Sequence, residues 1–263
     1  MHERQAICYA VLMRANEKTA LWTLLKTSSD CLYGYSSPDF PEVPPLFADD
    51  TLNFAQQNAT TTPFVQAAPV TLESIAQKVA ACTRCELSKR RTNVVPGMGV
   101  PNPIVLVVGE GPGAEEDAQG LPFVGPAGKL LDKMLAAISL DRNVNCYIAN
   151  IVKCRPPNNR TPLPEEAGAC MSFLEAQIHV LKPKMILATG RTAAQNLLKT
   201  TSPLGELRSR FFTYNTIPLL VTYHPSALLR NESLKRPAWE DLKLFRTKLT
   251  ELAPDYAAHP AHS

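Results

Sequence analysis

The pattern of apolar and polar positions changes near residue 71. Beyond it, short runs that are apolar throughout alternate with longer stretches in which apolar residues recur at helical spacing. A continuous apolar run suits a strand buried on both faces of a sheet. Strands are predicted on this basis at 104–108, 144–151 and 185–189, with a strand pair at 211–214 and 217–222. Helices are predicted at 71–81, 127–140, 164–181, 191–199 and 237–252. The helix at 164 opens on a proline, which a first helical turn tolerates. Strands alternating with helices imply an α/β fold with a mostly parallel sheet covered on both faces. Ligand sites in such sheets lie beyond the carboxyl ends of the strands. Attention therefore falls on the loops after Val108, Ile151 and Thr222.

Before residue 71 the texture differs. Residues 1–27 place Ala10, Leu12 and Leu21 near helical spacing, with Trp22 beside them, and read as a helix. Residues 28–70 contain Pro38, Pro41, Pro44 and Pro45 and a polar stretch at 56–62. Proline removes backbone donors and the polar stretch has little to bury, so this segment reads as a flexible linker. An irregular arm wrapped on the body is the alternative. The expected organisation is an N-terminal helix and linker (1–70), one α/β domain (71–253) and a disordered tail (254–263).

Composition changes this picture in a few respects. With 263 residues, 45% hydrophobic and 19% charged, the chain suits one substantial soluble domain with an extension. No apolar run reaches the roughly 18 residues needed to cross a bilayer. The first residues lack the form of a signal peptide, so the cytoplasm is expected and no membrane partner is. The net charge of +3 is uneven. Residues 1–70 carry four Lys/Arg against seven Asp/Glu, and the rest carries 23 against 17, a net of +6. A basic body suits a polyanionic partner, though many enzymes share such a balance.

Seven cysteines in a reducing compartment argue for metal binding or catalysis over disulfides. Cys82 and Cys85 form a C-x-x-C pair, Cys154 follows a predicted strand, and Cys170 lies inside a predicted helix. Four thiolates can bind zinc or an iron–sulfur cluster, and spacing alone does not separate the two. Arg84, Lys89, Arg90, Arg91, Lys153 and Arg155 surround the set in sequence and would offset its negative charge. Cys8, Cys31 and Cys146 lack such spacing, and Cys146 reads as a small core residue.

Three loops carry the remaining candidates. The first, GEGPG at 109–113, follows a buried strand and allows close backbone approach to a ligand. Pro112 and the acids Glu115, Glu116 and Asp117 make it a poor phosphate loop. It better frames a neutral ring, with Phe123 offering a face for stacking or serving as a core aromatic. The second holds Asn150, whose amide can both donate and accept, or can simply form a turn. The third holds His224, Pro225, Ser226, Ala227, Leu228, Leu229 and Arg230. Its imidazole can donate to a developing anion. Leu228, Leu229 and Arg230 suit a wedge entering a DNA groove.

The motifs C-x-x-C, GEGPGAEED, PFVGPAG, NIVKCRPPNNRTP and HPSALLR, in this order, resemble the family 4 uracil-DNA glycosylases, the iron–sulfur type. The resemblance spans roughly residues 72–249. It implies the three-layer α/β/α sandwich of the uracil-DNA glycosylase superfamily. It further implies a [4Fe–4S] cluster on Cys82, Cys85, Cys154 and Cys170. Phe123 would stack on a flipped uracil, Asn150 would read its edge, and His224 would face its O2. In the best-known family of the superfamily an Asp orients the attacking water, and its place falls on Gly111. Glu110 and Glu116 are therefore the candidates for positioning water, with Gly111 against the base. Arg155, Ser226, Leu228 and Arg230 are the candidates for contacting DNA. A related branch traps the abasic sugar through a His in a basic insertion. The stretch 158–161 has none, so turnover is expected. The partner is uracil-containing DNA, the protein is expected as a monomer near the nucleoid, and the N-terminal region is a candidate dock for a repair or replication protein. A zinc-bearing nucleic-acid module, an electron carrier and a glycosylase of wider base range are the competing readings.

Overall fold

The computed structural model describes residues 70–257. The predicted N-terminal helix, the linker up to residue 69, Cys8 and Cys31 lie outside the described residues, as does the tail from 258. The body is a six-stranded sheet in the order β1-β3-β2-β4-β6-β5. Its strands are β1 (Met98–Gly99), β2 (Val105–Gly109), β3 (Cys146–Asn150), β4 (Met185–Thr189), β5 (Phe211–Tyr214) and β6 (Ile217–Thr222). The four inner strands run parallel, and the edge strands β1 and β5 run antiparallel to their neighbours.

Side chains alternate across β2, so one strand feeds two cores. Leu106 and Val108 face a cluster with Leu174 and Ile178 of α4 (Pro164–Leu181) and Ala193 and Leu197 of α5 (Arg191–Leu198). Val105 and Val107 face Leu131 and Leu135 of α3 (Pro126–Ala136) and Leu242, Phe245 and Leu249 of α8 (Lys235–Leu252). Two helical layers thus enclose the sheet. This is the expected three-layer α/β/α sandwich.

The remaining helices are α1 (Leu72–Ala80), α2 (Ala114–Gln119), α6 (Leu204–Leu207) and α7 (Pro225–Arg230). Thr71 caps α1: its hydroxyl accepts from the Ser74 N–H at 3.1 Å while the Ser74 hydroxyl accepts from the Thr71 N–H at 3.0 Å. α4, β4, β5 and β6 occupy their predicted ranges. The helix expected over 127–140 ends at Ala136, because Ser139 turns left-handed (φ 58). The strand expected from 144 starts at Cys146, because the N–H groups of Val144, Asn145 and Cys146 all bond back to the Asp141 carbonyl.

The expected tail is corrected at its start. Pro254–Ala257 forms a 3-10 turn in which Tyr256 is buried and donates to the Ile138 carbonyl at 3.0 Å.

β2 leads to β3 on one side, whereas β4 leads to β6 on the other. The topological switch point therefore falls between β2 and β4, where such sheets bind ligands.

Candidate active site

A cavity of about 810 Å³ opens at that point, within the range typical of small-molecule sites. Glu110 and Gly111 after β2, Asn150 at the end of β3, Thr189 to Thr192 after β4, and His224 after β6 all line it, with Phe123 and Glu116. The structure thus brings the sequence candidates of all three loops to one wall.

Asn150 is 1% exposed, and its Oδ1 has no hydrogen-bond partner among the described residues. A buried acceptor left unpaired costs about 1–3 kcal/mol, so this one can take a donor from a ligand in the cavity. Gly109 keeps the approach clear. A Cβ there would stand 2.6 Å from Phe123 Cζ and nearer still to Asn150 Oδ1.

Phe123 is held with φ at 52°, a backbone region that bulky residues avoid. Arg142 fixes it, donating to the Pro122 and Phe123 carbonyls at 2.9 Å each while pairing with Asp132. α3 comes so close that a Cβ on Gly128 would overlap the Phe123 carbonyl. No local motif signalled Arg142, whose partners lie ten to twenty residues away.

The His224 ring lies 5.6 Å from that of Phe123, centroid to centroid. Its Nδ1 accepts the Ser226 N–H at 3.2 Å and lies 2.8 Å from Ser226 Oγ. A nitrogen that accepts from a backbone amide carries no proton, so the neutral ring carries its proton on Nε2. Burial, with a smaller contribution from Arg230, pulls the His224 pKa down to about 4, against a weak opposing effect of Glu116. At neutral pH the cavity therefore holds a neutral imidazole that donates from Nε2.

The end of β6 is itself anchored. Buried Asp241 accepts from Thr222 Oγ1 at 2.8 Å, Ser209 Oγ at 3.1 Å and Arg208 Nε at 2.8 Å. The Arg208 guanidinium also covers the Tyr223 ring at 3.9 Å.

Several sequence expectations divide at this point. Glu110 reaches across the switch point, with Thr192 Oγ1 donating to its Oε2. Glu116 accepts N–H groups from Gly113, Val124 and Gly125 at 3.0–3.1 Å. Its carboxylate ties the glycine loop to the Phe123 loop and is spent on structure. Gly111 lines the cavity, and a Cβ there would press on Val152 Cγ2 at 2.7 Å, which leaves no room for an Asp without a shift.

The predicted wedge is also corrected. α7 turns Leu228 into the core at 2% exposure and leaves Leu229 outside. Ser226 is on the wall but engages His224. Arg230 and Arg191 are exposed on the rim, and sequence reading missed Arg191. Arg155 stands behind the wall, donating to Asn159 Oδ1 at 2.8 Å, while Arg160 is tied to Glu166 at 2.8 Å.

Cys82, Cys85, Cys154 and Cys170 line a second, smaller cavity together with Arg84, Arg91, Lys153 and Phe173. Burial raises the thiols of Cys154 and Cys170; Arg91 opposes this on the first and Lys153 on the second. Arg91 Nη1 donates to Cys154 Sγ at 3.2 Å, and the Lys153 N–H donates to Cys170 Sγ at 3.3 Å. Asp117, buried on α2, accepts from the Thr92 N–H at 2.9 Å and joins this region to the glycine loop. Among the described residues, no three His, Cys, Asp or Glu side chains form a group fit for a single metal ion. Four thiols line one cavity, and each buried one accepts from a donor of its own. Cys146 is a core residue, as expected, and burial pushes its thiol far up.

The fold and the wall together define an α/β sandwich with a ligand-sized cavity at its topological switch point. The profile of the Uracil DNA glycosylase superfamily matches residues 96–243. A Type-4 uracil-DNA glycosylase of Thermotoga maritima is 45% identical over 179 residues, covering 65% of this chain and 91% of the relative. Those of Pyrobaculum aerophilum and Archaeoglobus fulgidus are 40% and 39% identical, covering 66% and 65% of this chain and 92% and 90% of the relatives. The chain belongs to the uracil-DNA glycosylase superfamily, in the type-4 group. Among the described residues no helix is long and apolar enough to cross a membrane.

Proposed function

We propose that the protein excises uracil from DNA by hydrolysing its N-glycosidic bond, leaving an abasic site for base excision repair. The observation that carries this is the orphaned Oδ1 of Asn150, aimed into a cavity shared with Phe123 and His224. Uracil offers an N3–H donor between two carbonyl acceptors, and a duplex base must leave the stack before its bond is reachable. In the cavity the ring lies against Phe123, N3–H meets Asn150 Oδ1, and O2 meets the His224 Nε2 proton.

The C1′–N1 bond breaks with its electron pair passing to the base. The resulting anion is stabilised by the neutral imidazole and by backbone N–H groups of the 109–113 loop. Water adds to C1′ and gives up a proton, which the departing uracil anion takes up, so that neutral base and an abasic sugar result. Glu110 is the carboxylate for positioning that water: Thr192 holds one oxygen, and the other accepts no donor among the described residues. Arg191 and Arg230 on the rim suit phosphate contacts, which would make binding salt-dependent. Leu229 is the exposed apolar group beside them.

The four-cysteine cavity suits a [4Fe–4S] cluster held by Cys82, Cys85, Cys154 and Cys170. Such a cluster supplies a rigid cross-link among three separate segments of the chain. A reducing cytoplasm keeps these thiols available, and we place the protein there, acting on the nucleoid as a monomer. The N-terminal region is the candidate dock for a repair or replication partner.

The test is cleavage of a labelled oligonucleotide carrying one deoxyuridine, treated with hot alkali after incubation. A band at uracil and none at thymine is expected. No band from folded, brown protein would sink the assignment.

A further inference from the structure

Lys153 stands between the two sites. It is 1% exposed and is among the largest fully buried side chains. Its Nζ donates to the Asn150 carbonyl at 2.9 Å and to Gln177 Oε1 at 2.7 Å. Gln177 is braced in turn, donating to the Pro96 carbonyl at 2.7 Å. The same residue lines the cysteine cavity, and its N–H donates to Cys170 Sγ.

Both acceptors of the ammonium are neutral oxygens. A buried cation without an anion nearby is costly, since neutral dipoles only partly replace its hydration. Among the described residues the acidic group that acts on the ammonium is the Cys170 thiol, and with a cluster bound the thiolate set would supply negative charge there. Asn150 gains by the same arrangement. Its own oxygen has no partner among the described residues, so its position depends on its main chain. That main chain is held by strand pairing, by the Ile151 and Val152 N–H groups bonding to the Gly109 and Glu110 carbonyls at 3.0 and 3.2 Å, and by Lys153.

We propose that Lys153 is a positioning residue joining the two sites: its charge balances the thiolate set, and its ammonium fixes the strand end that presents Asn150 to the base. This rests on the cluster reading above. Loss of the positive charge would therefore loosen the cluster and blunt base recognition together, although Lys153 touches no substrate.

The test compares iron-loaded wild type, Lys153→Met and Lys153→Arg by two readouts. One is the rate at which absorbance near about 400 nm bleaches under a chelator, well below the melting transition. The other is inhibition by free uracil, which reports the grip of Asn150 on the base. Methionine is expected to speed bleaching and to weaken uracil inhibition by about tenfold, as for one lost charge-assisted hydrogen bond. Arginine keeps the charge but not the geometry, so bleaching should stay near wild type while uracil inhibition weakens. Uracil inhibition within twofold of wild type in the methionine protein would overturn the proposal, as would bleaching equally fast in both variants. Should methionine give no folded holoprotein, arginine decides alone, and any pattern other than slow bleaching with weakened inhibition overturns it. Wild-type protein that binds no iron would instead sink the cluster reading, before Lys153 is at issue.

Discussion

At the scale of single residues, the site works by withholding partners and protons. His224 gives this a pH signature. Its pKa is near 6.5 in an unfolded chain and about 4 in the fold, so the unfolded state takes up the proton first as pH falls. Its contribution therefore costs stability as pH drops from about 7 towards 4, on the order of 3 kcal/mol in all. Urea unfolding at pH 7, 5.5 and 4.5 should show this slope, and His224→Gln should flatten it. His224→Ala, which removes the Nε2 donor outright, should lower the cleavage rate by about 10²–10³ with DNA binding largely kept. Equal loss of both would assign His224 to docking instead. Gly109 makes a second case. Gly109→Ala places a methyl in the space between Asn150 and Phe123, so cleavage should fall about a hundredfold while stability changes by about 1–3 kcal/mol. A variant that cleaves at the wild-type rate would show that the base does not use this space.

At the scale of elements, the loops owe their positions to ties from elsewhere in the chain. Asp241, on α8, holds the end of β6 through Thr222, Ser209 and Arg208. Asp241→Ala would leave Arg208 buried and unpaired, at a cost of about 3–5 kcal/mol by denaturant unfolding. The parallel strands and long helices were legible in sequence because burial on both faces and helical spacing write themselves into residue type. The two six-residue helices, α2 and α7, were not. Each starts at a residue other than the usual Ser, Thr, Asp or Asn cap: Gly113, whose N–H bonds to Glu116 three residues on, and His224, whose ring accepts the Ser226 N–H two residues on. Missing α7 is also why Leu228 looked like a surface wedge: one helical turn carries it into the core. The four cysteines, Phe123, Asn150 and His224 could be picked out in sequence as candidates, and the structure sets them on the walls of two cavities. Arg142, Thr192 and the placement of Lys153 could not be, because their meaning lies in partners on distant segments.

At the scale of the whole molecule, the body is a sandwich with two sites on neighbouring segments of one chain, and only three residues separate Asn150 from Cys154. Its stability is accordingly shared between packing and function. Asn150→Leu would replace an unpaired buried amide with apolar volume, and it should raise the melting temperature while abolishing uracil cleavage. A lower melting temperature would mean that the amide is satisfied in the resting protein. The orphaned oxygen thus sets two selective pressures against each other. Under selection for heat resistance alone, Asn150, the residue proposed to read the base, would be among the first discarded. Its persistence in a lineage would be a record of continued exposure to deaminated DNA.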